Sequence, residues 1–139
     1  MTATVAAPRR PDAAARPGWD TEVVLLTAAD RAALAAAAIS VAAAAESDPA
    51  FSLPALAAEL AIGFVPVGSV LAVVAASPSD LAVKLRRAAG RLADPSCEQV
   101  RDANGVYFSA RPLGLEGTVA LLFPGEGAQY LNMLADLCG

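Results

Sequence analysis

Val70-Leu-Ala-Val-Val-Ala-Ala-Ser-Pro-Ser-Asp80 is the stretch on which the fold turns. The run from Val70 to Ala76 is apolar at every position, so neither pleat face is marked for solvent. Such a run suits a strand at the centre of a sheet or one covered on both sides. Ser77-Pro-Ser-Asp80 is a helix start: Ser77 is placed as N-cap, Pro78 sits at the first helical position, where a missing N–H is harmless, and Asp80 faces the positive end of the helix dipole. The predicted helix carries Leu81, Leu85, Ala88 and Leu92 on one stripe, with Lys84, Arg87 and Arg91 largely outside it, and Asp94-Pro95 stops it. Lys84, Arg86, Arg87 and Arg91 read as a solvated outer face in preference to a site for phosphate or an acidic partner.

Upstream, Thr21-Glu-Val-Val-Leu-Leu26 is β-branched and aliphatic and predicts a strand. Thr27-Ala-Ala-Asp30 resembles a capping box, with Thr27 as the cap of a helix reaching about Ala45. That helix sets Leu34, Ile39 and Val41 on an alanine background; the chain holds 35 alanines, about a quarter of its length. Glu46-Ser-Asp-Pro49 ends it. Ser52-Leu-Pro-Ala55 starts a second helix with Leu53, Leu56 and Leu60 on one face, closed by Gly63. Downstream of a polar stretch, Val106-Tyr-Phe-Ser-Ala110 and Val119-Ala-Leu-Leu-Phe123 read as strands flanking a loop over 112–117. A final helical stretch has Leu131, Leu134 and Leu137 or Cys138 as its apolar side. The resulting fold class is α/β (α+β), a small sheet with helices packed on it, followed by a strand, a turn and a helix. That last unit is the first half of a βαβ motif, which calls for a further parallel strand.

Composition removes whole classes of function. Hydrophobic residues make up 56% of 139 and charged residues 17%, enough for a core. There is no histidine, so no Ser-His or Cys-His dyad forms within these residues. Cys97 and Cys138 match no zinc spacing and read as inert, reduced thiols; no metal is expected. A net charge of −4 gives no electrostatic footing for nucleic acid or an anionic membrane. Residues 1–18 carry three arginines against one aspartate, and Arg9-Arg10 lead into Pro-Asp-Ala-Ala-Ala-Arg-Pro-Gly18 in place of an apolar export run. These residues are expected to be a disordered tail and the chain to be cytoplasmic. The apolar stretches 32–45 and 61–76 are shorter than a membrane span needs.

Chemistry concentrates at Phe123-Pro-Gly-Glu-Gly-Ala-Gln-Tyr130. A strand, a glycine turn and a helix place backbone N–H groups where they face negative charge. A phosphate-binding Walker loop would need Lys and Ser or Thr after the second glycine, where Ala128-Gln129 stand. A dinucleotide fingerprint would need glycine at Tyr130. Without further context, two glycines shaping a tight turn is the plain alternative.

Together with Leu-Asn-Met-Leu134, this segment resembles the opening of the acyltransferase domain of type I polyketide and polyunsaturated-fatty-acid synthases, Phe-Pro-Gly-Gln-Gly-Ser-Gln. Upstream, Trp19-Asp-Thr-Glu-Val-Val-Leu-Leu-Thr-Ala28 and 70–81 resemble the linker that joins a ketosynthase to that acyltransferase. The resemblance implies a linker-type domain over 19–117 and a truncated acyltransferase start over 118–139. It implies that the backbone N–H of Glu126 belongs to an oxyanion hole, with Gly125, Gly127 and Gln129 at the substrate. Glu126 stands where the family has Gln, and Ala128 where Ser is commoner. The family's substrates are malonyl-CoA and a phosphopantetheinylated acyl carrier protein, no cofactor being bound by this segment, and the implied partners are the carrier protein and the rest of the acyltransferase and ketosynthase. The family's Gly-His-Ser-x-Gly nucleophile motif, its carboxylate-binding Arg and its catalytic His are absent from these 139 residues, so the isolated chain is expected to be inactive. The other reading is a stand-alone, non-catalytic interaction or scaffold module.

Overall fold

A computed structural model describes residues 19–65, 68–113, 117, 118, 120, 122, 127, 130 and 131. The element order is β1 (Glu22–Ala28), α1 (Arg31–Ser47), α2 (Leu53–Ile62), β2 (Ser69–Ala75), α3 (Pro78–Leu92), β3 (Gln99–Asp102) and β4 (Val106–Ser109). The chain divides into two units, Asp20–Val119 and a second made of Met1–Trp19 with Ala120–Gly139; all seven elements lie in the first. The expected tail over 1–18, the helix after 130 and Cys138 fall outside the described residues, as does most of the strand expected over 119–123. Ala120 and Leu122 are described and sit in no ladder.

The four strands form one antiparallel sheet in the order β1-β2-β4-β3, so the fold is α+β. As the apolar run requires, β2 is interior, pairing Leu26 with Leu71 on one side and Leu71 with Phe108 on the other. Among the described residues one face is covered: Leu71, Val73 and Ala75 are fully buried, beside buried Val24, Leu26, Val100, Val106 and Phe108. The opposite face keeps Val23 at 49% and Tyr107 at 45% exposure. Of the two readings of the run, the sheet interior is correct.

Three short polar caps start the helices. Ser77 Oγ accepts the Asp80 N–H at 3.1 Å, as the sequence predicts, and Ser52 Oγ accepts that of Ala55 at 3.4 Å, with Gly63 as the closing residue. The cap of α1 corrects the sequence reading. Thr27 is still in β1, opposite Val70, and Asp30 itself is the N-cap, its Oδ1 accepting from Ala33 N at 2.8 Å. β-branched Thr suits the extended ladder, while a short carboxylate placed after the strand reaches the exposed helix N–H groups.

Which face of α1 is buried, a question the alanine background leaves open, is decided by packing. Ile39 is 49% exposed, and the core face is Leu34, Ala38, Ala42 and Ala45, recurring every three to four residues. These pack on Leu81, Ala82, Leu85, Ala88, Ala89 and Leu92 of α3, in the most extensive contact between any two elements. β3 lies within the polar stretch that the sequence leaves without a strand: in Gln-Val-Arg-Asp only Val100 is buried, too little for an alternation signal. Its hairpin to β4 turns at Asp102-Ala-Asn-Gly105, where Gly105 has φ +88°.

Gly68, at the entry to β2, has φ +70°, and a Cβ there would lie 2.3 Å from the Ala28 carbonyl oxygen. We expect Gly68→Ala to destabilise by more than the ~1–2 kcal/mol of a left-handed residue alone, read as a lower urea midpoint. Ala42→Leu, which forces a larger side chain between α1 and α3, should cost about 1–3 kcal/mol. Ile39→Ala in the same helix should stay within about 1 kcal/mol, and the reverse ranking would show that the face is misassigned.

Candidate functional site

The glycine turn at 124–129 is the site the sequence singles out. Gly127 has φ +90°, a conformation that favours glycine. Gly125, Glu126 and Gln129 lie outside the described residues.

In the unit Asp20–Val119 several charged side chains form ion pairs. Lys84 Nζ bridges Asp80 Oδ2 at 2.8 Å and the Val74 carbonyl at 2.9 Å, joining the first turns of α3 to the end of β2. Arg86 grips Glu46 of α1 with two hydrogen bonds, one of them Nε to Oε1 at 2.9 Å. Arg87 pairs with Asp102 at 3.3 Å. Three of the four cations on the face read as solvated, Lys84, Arg86 and Arg87, are thus paired with carboxylates, which weakens any claim on phosphate. No sequence signal marks Glu46 as the partner of Arg86, since the two are 40 positions apart. Arg31 Nη1 donates to the Cys97 carbonyl at 3.2 Å.

A cleft of about 360 Å³ lies beside β1, lined by Leu25, Leu26, Thr27, Glu59, Leu60, Gly63 and Phe64. Its lining holds one hydroxyl, of Thr27, and one carboxylate, of Glu59, with no hydrogen bond joining them, so the hydroxyl is not held as an activated nucleophile. Among the described residues no cluster of His, Cys, Asp or Glu could hold a metal ion, and no helix is long and apolar enough to cross a membrane.

No protein-family model matches the chain, and no curated protein does. Solved structures do. The acyltransferase domain of the iterative polyketide synthase in enediyne biosynthesis is similar over 66% of this chain at 32% identity and a TM-score of 0.57. The acyl transferase domain of SpnD, in complex with 2-(pent-4-yn-1-yl)malonyl, is similar over 49% at 25% identity and a TM-score of 0.46. This chain spans 25% and 17% of those two chains. Its structural neighbours thus include the acyltransferase domain of a polyketide synthase, matched in part.

The ion pairs give stability a definite pH dependence. The Lys84 hydrogen bond, then the Ala76 N–H, hold the Asp80 carboxyl below its ordinary value of 3.8. A carboxylate whose folded pKa is depressed contributes stability that is present above the unfolded value and is lost as pH falls through the folded one. Glu46, lowered by the Arg86 hydrogen bond, and Asp102, lowered first by the Asn104 N–H, act in the same direction. Melting midpoints should therefore fall as pH drops below about 4. Asp80→Asn should lower the midpoint at pH 7 and flatten that acid limb; an unchanged limb would show that Asp80 does not contribute to it.

Proposed function

We propose that this chain supplies the linker-type sheet-and-helix domain and the opening strand, turn and helix of a polyketide-synthase acyltransferase region. The reaction of that region is transfer of a malonyl-type acyl group from CoA to an acyl carrier protein. The observation that carries the reading is the 32% identity to an enediyne-synthase acyltransferase domain over two thirds of the chain, in the same chain whose sequence holds Phe-Pro-Gly-Glu-Gly-Ala-Gln129. A left-handed Gly127 suits a turn whose N–H groups converge on one point.

In this reading the Glu126 N–H stabilises the oxyanion of the thioester carbonyl, and Gly125, Gly127 and Gln129 line the acyl group. The donor is main chain, so the Glu side chain in place of Gln leaves it intact while adding negative charge nearby. The nucleophile and base come from outside these 139 residues, because an oxyanion hole without them offers no covalent route. CoA and carrier-protein thioesters are the substrates, and the remaining acyltransferase and the ketosynthase are the partners.

Two measurements test this. Incubated with malonyl-CoA and a carrier protein, the isolated chain should gain no malonyl mass; an adduct on it would overturn the reading. In a complete acyltransferase bearing this segment, Glu126→Ala keeps the N–H and should change the transfer rate modestly. Glu126→Pro removes the donor and should cost about 10² to 10³ in rate at an unchanged melting midpoint. A scaffold module would make no use of position 126, and both variants would then transfer alike.

A further inference from the structure

The turn between β3 and β4 holds an asparagine followed by a glycine, Asn104-Gly105. Because glycine has no side chain to shield it, the backbone nitrogen after such an asparagine is open to attack on the side-chain amide. Here Asn104 is exposed, yet the leaving amide nitrogen and the attacking backbone nitrogen are both hydrogen-bonded. Asp102 Oδ1 accepts from the Asn104 backbone N–H at 2.9 Å and from its Nδ2 at 2.9 Å. The Asp102 carbonyl accepts from the Gly105 N–H at 2.9 Å. The first pair turns the Asn104 amide toward Asp102, and the second occupies the nitrogen that would act as nucleophile.

We propose that Asn104 is a self-deamidation site whose rate is set by the Asp102 latch, so that it reacts when the β3–β4 turn opens locally. In the open turn the Gly105 nitrogen gives its proton to solvent and bonds to Asn104 Cγ. The Cγ–Nδ2 bond breaks, and ammonia leaves behind a cyclic imide. Water then opens the imide at either carbonyl, to aspartate or isoaspartate at position 104. The sum is one water consumed and one ammonia released, without oxidant or reductant.

The product does not refit the turn. It sets a second carboxylate beside Asp102 and removes the Nδ2 donor. The isoaspartate form also lengthens the main chain by one carbon next to Gly105, which is buried, has φ +88° and lies so near β2 that a Cβ would be 3.0 Å from Val74. Its carbonyl accepts the Val74 N–H at 2.8 Å, and that joint between hairpin and β2 is the one the extra carbon displaces. Deamidation therefore loosens the half of the sheet made of β3 and β4.

The test follows the whole chain at neutral pH and 37 °C by intact mass and by the tryptic peptide 102–139, since Pro112 blocks cleavage after Arg111, with fragmentation placing the change at Asn104 and not at Gln129 or Asn132. Folded chain should convert more slowly than chain held unfolded in urea. Asp102→Ala, which deletes two of the latch bonds, should speed conversion of folded chain roughly 5- to 30-fold. Ser77→Ala weakens the fold at the distant cap of α3 and should leave the rate near that of the parent. Equal rates in folded and unfolded chain, no change in Asp102→Ala, or an equal acceleration in Ser77→Ala would each overturn the proposal. If Asp102→Ala does not fold, Asp102→Ser retains one acceptor; it should convert at an intermediate rate, and a parental rate there overturns the proposal equally.

Discussion

The close approach of α1 and α3 over one face of the sheet is the constraint from which the rest of the fold follows. Ala38, Ala42 and Ala45 let the helices meet at short range, and alanine loses no side-chain entropy on burial. It also contributes little apolar area, so the bulk of the core has to come from elsewhere. Leu34, Leu71, Leu81, Leu85, Val24 and Val73, the largest fully buried side chains, supply it from the sheet and from both sides of the seam. The Arg86–Glu46 pair closes the rim of the same seam, where solvent screening keeps its contribution small.

With its helices on one face, the sheet depends on β2 as its spine. Both joints into β2 use glycine. Gly68 turns the chain into it under the Ala28 carbonyl, and Gly105 brings the β3–β4 hairpin against Val74. Lys84 adds a third tie, from α3 to the end of β2 through the Val74 carbonyl. Val74 thus gathers contacts from the hairpin and from α3, which is why a change as small as one added carbon at position 104 reaches the centre of the sheet.

In the proposed function the two parts of the chain meet different physical demands. The unit holding the seven elements pairs Lys84, Arg86 and Arg87 with carboxylates and leaves no buried side-chain polar atom unpartnered among the described residues. The chemistry implied by the resemblance lies in the glycine turn, where a main-chain donor needs backbone geometry more than any particular side chain. For that reason a Glu for Gln exchange at 126 is compatible with the proposed role.

Local chemistry was legible in the sequence. The Ser77 and Ser52 caps, the stripe of α3, the interior position of β2 and the α+β class all come from residue spacing and short-range hydrogen bonding. The glycine turn stands out as a candidate site on the same grounds, and its left-handed Gly127 agrees with its residue type. The buried face of α1 was a matter of packing, because a helix of alanines is apolar all round and only the shape of α3 selects Ala38 and Ala42 over Ile39. The helix start at Asp30 was too, since Thr27 is claimed by its ladder partner Val70. β3 exists only through its pairing with β4: four residues with one buried side chain carry no pattern of their own. The partners of Arg86 and Arg87 were likewise settled by the packing of α1, α3 and the hairpin, at sequence separations that no local rule spans.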